Sequence, residues 1–189
     1  MSEPAKKKAA YEDLCNVPEN MIGEIIDGEL IVTPRPARKH GYTATALSGE
    51  ITPPYQRGRG GGPGGWIFIA EPEIGFGENT MVPDLAGWRA ERFPWEEDHN
   101  WIGVVPDWVC EILSASTSRL DRTSKMSTYA KYGVGHAWLI DPIVAILEVY
   151  RLESGRWSLL GAFGGEEKVR VEPFQKIEID LGDLWPKAE

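Results

Sequence analysis

The spacing of apolar and polar residues changes character several times along the chain, and each change marks an element. In "IIDGELIV" two apolar stretches flank Asp27-Gly28, a pair that supplies the two positive-φ positions of a type I′ turn, so a β-hairpin is predicted near the N-terminus. From His40 to about Ile51, "HGYTATALSGEI" places Tyr42, Leu47 and Ile51 roughly on one side of a helix. "RGRGGGPGG" follows. It lacks the Gly-Lys-Ser/Thr ending of a phosphate-cradling loop, and its composition reads as a mobile connector.

Beyond this connector, "WIFIAEPEIGF" and "TMVPDLAGW" read as two adjacent strands joined by "GEN", and "DWVCEIL" as a third, fully buried one. "STSRLDRTSKMSTYAKYG" is the clearest helix. Thr117 stands near its cap, Leu120, Met126, Tyr129 and Ala130 form its apolar side, and Gly133 ends it. The strand "HAWLI" comes next, and a strand–helix–strand order implies a parallel pair joined by a right-handed crossover. "AILEVYRL", "RWSLLGAF" and "KVRVEP" look like antiparallel strands, and "LGDLW" like a closing helical turn. The expected fold is α/β (α+β): a mixed β-sheet core with an N-terminal hairpin, flanking helices and C-terminal antiparallel strands.

A length of 189 residues suits one domain, expected over residues 11–189 behind a disordered tail at 1–10. Lys6, Lys7 and Lys8 precede no apolar run, so neither a signal peptide nor a membrane anchor is expected, and a cytoplasmic location is the default. Cys15 and Cys110 form no ligand pair and are read as reduced. The net charge of −9 argues against a protein that coats nucleic acid with a basic surface. Positive charge is nevertheless clustered, in "RPARKH", "RGRG", "WRAER" and "SRLDRTSK".

One residue breaks the apolar pattern in a way that calls for chemistry. Glu111 lies inside the buried run "WVCEIL", where an unpaired carboxylate costs several kcal/mol unless it is protonated or faces positive charge. Asp84 has a similar apolar context on the neighbouring predicted strand. Two carboxylates converging across a sheet, with a backbone carbonyl such as that of Ile112, suit Mg²⁺ or Mn²⁺, hard cations that take oxygen ligands. Lys125, on the helix after the Glu111 strand, can stabilise charge on a scissile phosphate.

"EIIDGELIVTPRPARKHG", "VPDLAGWRAER", "PDWVCEILSAST" and "SRLDRTSKMSTYAKYGVGHAWLIDP" resemble, in order and spacing, the Uma-type family of putative restriction endonucleases within the PD-(D/E)XK nuclease superfamily. The likeness runs from about Tyr11 to Trp185. It implies a restriction-endonuclease-like core, a divalent metal, DNA as substrate and a homodimer. Carried over by motif, Asp84 is the aspartate of the "PD" element and Glu111 the acidic residue of the next strand. Leu113 stands where the superfamily has its lysine, and the Uma-type pattern moves that lysine to the next helix, at Lys125. Glu24, at an acidic position of the family pattern, is a secondary metal-site candidate, with Glu71, Glu73 and His40. Arg89, Arg119 and Arg122 are candidates for nucleic-acid contact.

Plainer readings exist for each residue. Pro83-Asp84 can simply start a strand, Glu111 can be a satisfied structural carboxylate, and Lys125 can form a surface ion pair with Asp121 four residues earlier. His40, His99 and His136 lack zinc-ligand spacing. Two functions therefore compete: a Mg²⁺-dependent endonuclease hydrolysing DNA phosphodiester bonds, and a catalytically inactive nuclease-fold module serving as a dimerising or partner-binding scaffold.

Overall fold

The computed structural model describes residues 8–96 and 99–186. A short helix α1 (Tyr11–Leu14) leads into strands β1 (Met21–Ile26) and β2 (Glu29–Pro34). They form the expected hairpin, with Asp27 at φ 54° and Gly28 at φ 80°. Of the expected tail, residues 1–7 lie outside the described residues. Its last part is held to this hairpin, since the Ala9 N–H donates to the Gly28 carbonyl at 2.8 Å.

Helix α2 (Arg38–Ile51) buries His40, Thr43, Leu47 and Ile51. Tyr42, expected on that face, is 48 % exposed. The inner stripe begins with polar residues whose hydrogen bonds are made inside the fold: the Thr43 hydroxyl donates to the Leu184 carbonyl at 2.8 Å, and His40 meets Asp84. A hydropathy pattern cannot distinguish such residues from solvent-facing ones. After a π-helical turn (Thr52–Gln56), the glycine-rich segment folds back on Pro54, whose carbonyl accepts the Gly64 N–H at 3.0 Å. A Cβ at Gly62 would sit 2.4 Å from Pro54 atoms, so this stretch is packed rather than a free connector.

The two long strands expected next are four short ones: β3 (Trp66–Ala70), β4 (Ile74–Phe76), β5 (Asn79–Met81) and β6 (Leu85–Arg89). Pro72 and Pro83 supply no N–H and stop the ladder on both sides at the same level. Glu71, at φ 48°, turns the chain there, and its N–H donates to the Asp84 carbonyl at 3.0 Å. The tip, β4–β5, joins the hairpin in a four-stranded sheet of order β2-β1-β5-β4, while β3 and β6 remain paired in the main sheet.

Strand β7 (Trp108–Ile112) is buried throughout. It runs antiparallel to β6 and parallel to β8 (His136–Asp141), and the intervening helical stretch comprises α3 (Ser118–Leu120), a π-helical turn (Asp121–Lys125) and α4 (Met126–Tyr132). Gly133 ends it at φ 83°, as the sequence predicts. Strands β9 (Ile146–Glu153) and β10 (Arg156–Gly164) complete a six-stranded sheet of order β10-β9-β8-β7-β6-β3. "KVRVEP" contributes only β11 (Lys168–Val169), paired with β12 (Ile179–Asp180), before a 3-10 turn over Leu181–Asp183. Alternate residues of β7 serve different cores. Trp108, Cys110 and Ile112 join Trp66, Trp138 and Phe174 on one face, and Val109 and Leu113 join Phe76, Met81 and Tyr129 on the other.

Candidate active site

The register Leu85↔Cys110 brings Asp84 opposite Glu111, one residue beyond the end of the β6–β7 ladder. With no strand partner of its own there, Asp84 takes over the edge with its side chain: Oδ2 accepts the Ile112 N–H at 2.6 Å. The N–H and carbonyl of one strand residue point to the same side, so the Ile112 carbonyl faces this edge too. The other Asp84 oxygen, Oδ1, lies 3.1 Å from His40 Nε2. Burial opposes protonation of His40, but the hydrogen bond and charge of Asp84 outweigh it and raise its pKa.

Glu111 points to the opposite face from Trp108 and is 2 % exposed. Both its oxygens lie 2.9 Å from Lys125 Nζ, and Oε1 also accepts the Tyr129 hydroxyl. Lys125 Nζ further contacts Glu24 Oε1 at 3.1 Å, the Val82 carbonyl at 3.2 Å and Asp121 Oδ1 at 3.8 Å. Glu24 is fixed from β1 by the Val82 N–H at 2.8 Å. The π-helical turn carries Asp121 and Lys125 inward together, and each is 3 % exposed, so the surface ion pair expected between them is a buried one. Removing the ammonium from such a cluster would leave buried acids uncompensated and is costly, unlike at the surface.

Four carboxylates thus face one lysine and one histidine. Burial, partly opposed by Lys125, pushes the Glu111 carboxyl well above its usual range, and burial drives that of Asp121 up to about 6. Burial lowers the Lys125 pKa, but the charges of Glu111, Glu24 and Asp121 overcome it and keep the ammonium charged. Glu24, His40, Asp84, Glu111, Asp121 and Lys125 line one cleft of about 170 Å³ together with Arg35, Ser114, Ser116 and Thr117.

The other candidates lie elsewhere. Glu71 pairs with Arg35 at 2.8 Å, Glu73 accepts the Tyr11 hydroxyl at 2.8 Å, and both line a neighbouring cavity of about 180 Å³. Arg89 stacks over Trp66 at 4.2 Å, Arg122 pairs with Glu148 at 2.6 Å, and Arg119 is exposed; none of the three lines the cleft. Asp121 and Tyr129, which their sequence pattern alone assigns to surface and core, also belong to this cluster. Their signal was the i, i+4, i+8 stripe Asp121-Lys125-Tyr129, which places all three on one helix face.

A divalent cation fits this donor set in chemistry and charge: the carboxylates supply oxygen ligands, and the cluster carries more negative than positive charge. As packed, no three acidic, histidine or cysteine side chains among the described residues stand where they would share an ion.

A mixed six-stranded sheet with carboxylates at the end of an antiparallel–parallel strand junction defines a nuclease-like fold, and comparison agrees. The chain matches the Uma2 family, described as "Putative restriction endonuclease", over residues 9–182, and it belongs to that family. It is also similar to the crystal structure of a "putative nuclease belonging to DUF820" from Anabaena variabilis: TM-score 0.71, 26 % identity, covering 94 % of this chain and 97 % of the other. No curated protein matches it in sequence.

Proposed function

We propose that the chain is a divalent-metal-dependent endonuclease that hydrolyses DNA phosphodiester bonds. The observation that carries the proposal is the convergence of Asp84 and Glu111 at the edge of β6–β7, beside a lysine delivered from the following helix. Asp84 and Glu111, with the Ile112 carbonyl, would hold Mg²⁺ or Mn²⁺, and Glu24 lines the same cleft. When bound, the ion would supply Lewis acidity toward the scissile phosphate. His40 and the Ile112 N–H fix the Asp84 carboxylate, and the Tyr129 hydroxyl fixes Glu111. Lys125 would fill the place left by Leu113, which is buried in the apolar core; its ammonium, kept charged by its acidic neighbours, would place positive charge beside the attacking water or the phosphate. The two strands of a duplex have opposite polarity, so a homodimer with two such clefts belongs to the same reading. No helix among the described residues is long and apolar enough to cross a membrane.

The test is cleavage of supercoiled plasmid DNA in Mg²⁺ or Mn²⁺. Nicking or linearisation is expected from the unaltered chain and none from Asp84→Ala; equal cleavage by that variant would refute the assignment. A second reading, an inactive nuclease-fold scaffold, is favoured by one observation: both oxygens of Asp84 and of Glu111 already have protein partners. It predicts no calorimetric Mn²⁺ signal.

A further inference from the structure

Oxygens of the kind that a hard cation takes gather around Lys125 Nζ. Glu111 approaches it with both carboxylate oxygens at 2.9 Å, Glu24 with one at 3.1 Å, the Val82 carbonyl at 3.2 Å, and Asp121 stands at 3.8 Å. The ammonium is buried, so its charge is poorly screened from these acids. Both Glu111 oxygens are committed to it, one of them also to the Tyr129 hydroxyl. An ion ligated by Glu111 would stand close to this ammonium, and the repulsion between the two positive charges works to draw at least one Glu111 oxygen away from Lys125.

From this geometry we propose that Lys125 is the stand-in cation of the ion-free protein: it holds Glu24 and Glu111 together, and an incoming divalent ion competes with its ammonium for Glu111. The inference rests on the metal-dependent reading above and adds its regulation. Exchange leaves Lys125 anchored by Glu24 and Val82, with Asp121 nearby, and frees the one N–H that faced Glu111, beside the cleft where a phosphate would lie. Ion binding and positioning of the lysine are then one event. The competition also sets a direction. Two like charges in a poorly screened site repel, so the ammonium weakens ion binding even after it has moved.

The test is Mn²⁺ binding by calorimetry to the unaltered chain and to Lys125→Gln, which keeps the length and polarity of the side chain and removes its charge. The variant is expected to bind Mn²⁺ at least ten-fold more tightly, and its thermal midpoint is expected to rise more on adding Mn²⁺. Equal or weaker binding by Lys125→Gln, with a clear signal from the unaltered chain, overturns the inference alone. No binding to either protein overturns the metal-dependent reading and the inference with it. If Lys125→Gln does not fold, a Mn²⁺ soak of crystals of the unaltered chain decides. Lys125 Nζ moved beyond hydrogen-bond reach of one Glu111 oxygen, with its Glu24 contact kept, supports the exchange; Mn²⁺ on Glu111 with both Lys125 contacts intact defeats it.

Discussion

The two faces of β7 are equally buried and built on opposite principles. One face presents Trp108, Cys110 and Ile112 to a packed aromatic group in which Phe174 lies 5.1 Å from Trp66 and from Trp108 and 5.4 Å from Trp138. The other packs Val109 into a second apolar group and, beside it, presents Glu111 to three more carboxylates and a lysine. Apolar burial stabilises the first face in proportion to area, with tilted and edge-on ring contacts adding to it. The second holds more acid than base away from water, which lowers stability and keeps a reactive set of groups in fixed positions. A strand with one face for each purpose lets the first offset the second.

The comparison is broken most forcefully on the aromatic side. Trp108→Ala removes a fully buried indole in contact with Phe68, Trp138 and Phe174, and should cost about 3–5 kcal/mol of unfolding free energy in urea titration. A loss below about 1 kcal/mol would mean that this face does not carry the fold.

The acidic face is sharpened by pH. Its fold raises the Asp121 pKa from 3.8 to about 6, so the native state binds the proton more tightly than the unfolded chain. The associated stability is fully present below pH 3.8 and is lost as pH rises through about 6, amounting to about 3 kcal/mol. In ion-free buffer, Asp121→Asn should therefore gain on the unaltered chain across this window, by up to that amount. A stability difference that stays flat with pH would show that Asp121 is not strained by its surroundings.

Smaller in energy but sharper in meaning, Glu111→Gln should abolish cleavage while moving stability by less than about 1 kcal/mol, because it removes one acid from an over-acidic cluster. A large destabilisation would mark Glu111 as a structural carboxylate. At the bottom of the scale, Arg122→Ala breaks a partly exposed pair with Glu148 and should change the denaturation midpoint by no more than about 0.5 kcal/mol.

Much of this architecture was legible where local chemistry decides. Asp27-Gly28 specified its turn, Gly133 its helix end, and the unbroken run around Val109 its buried strand. The acids Asp84 and Glu111 were legible because a carboxylate inside an apolar run needs a reason. Long-range contributions were not. His40 and Thr43 face inward because partners distant in sequence receive their hydrogen bonds, and Tyr42 was mistaken for the inner residue in consequence. The break of the long hairpin was written in Pro72 and Pro83, but its meaning depends on the two prolines lying side by side. Asp121 and Tyr129 were hidden because polar and aromatic residues on a helix stripe resemble surface and core until the facing sheet is known.

The crossing of chain between the two sheets has a mechanical consequence. The β4–β5 loop leaves the main sheet through a neck tied by Glu71 and Asp84, and its tip at Gly77 abuts the Tyr132 hydroxyl at the end of α4. A load on that tip is passed through the neck to Asp84 and through Tyr132 to the helix bearing Lys125. Like the handle of a pair of pincers, it reaches both jaws at once, so under the proposed metal-dependent function a bulky tag grafted between Gly77 and Glu78 should weaken Mn²⁺ binding far more than one placed at the β9–β10 turn.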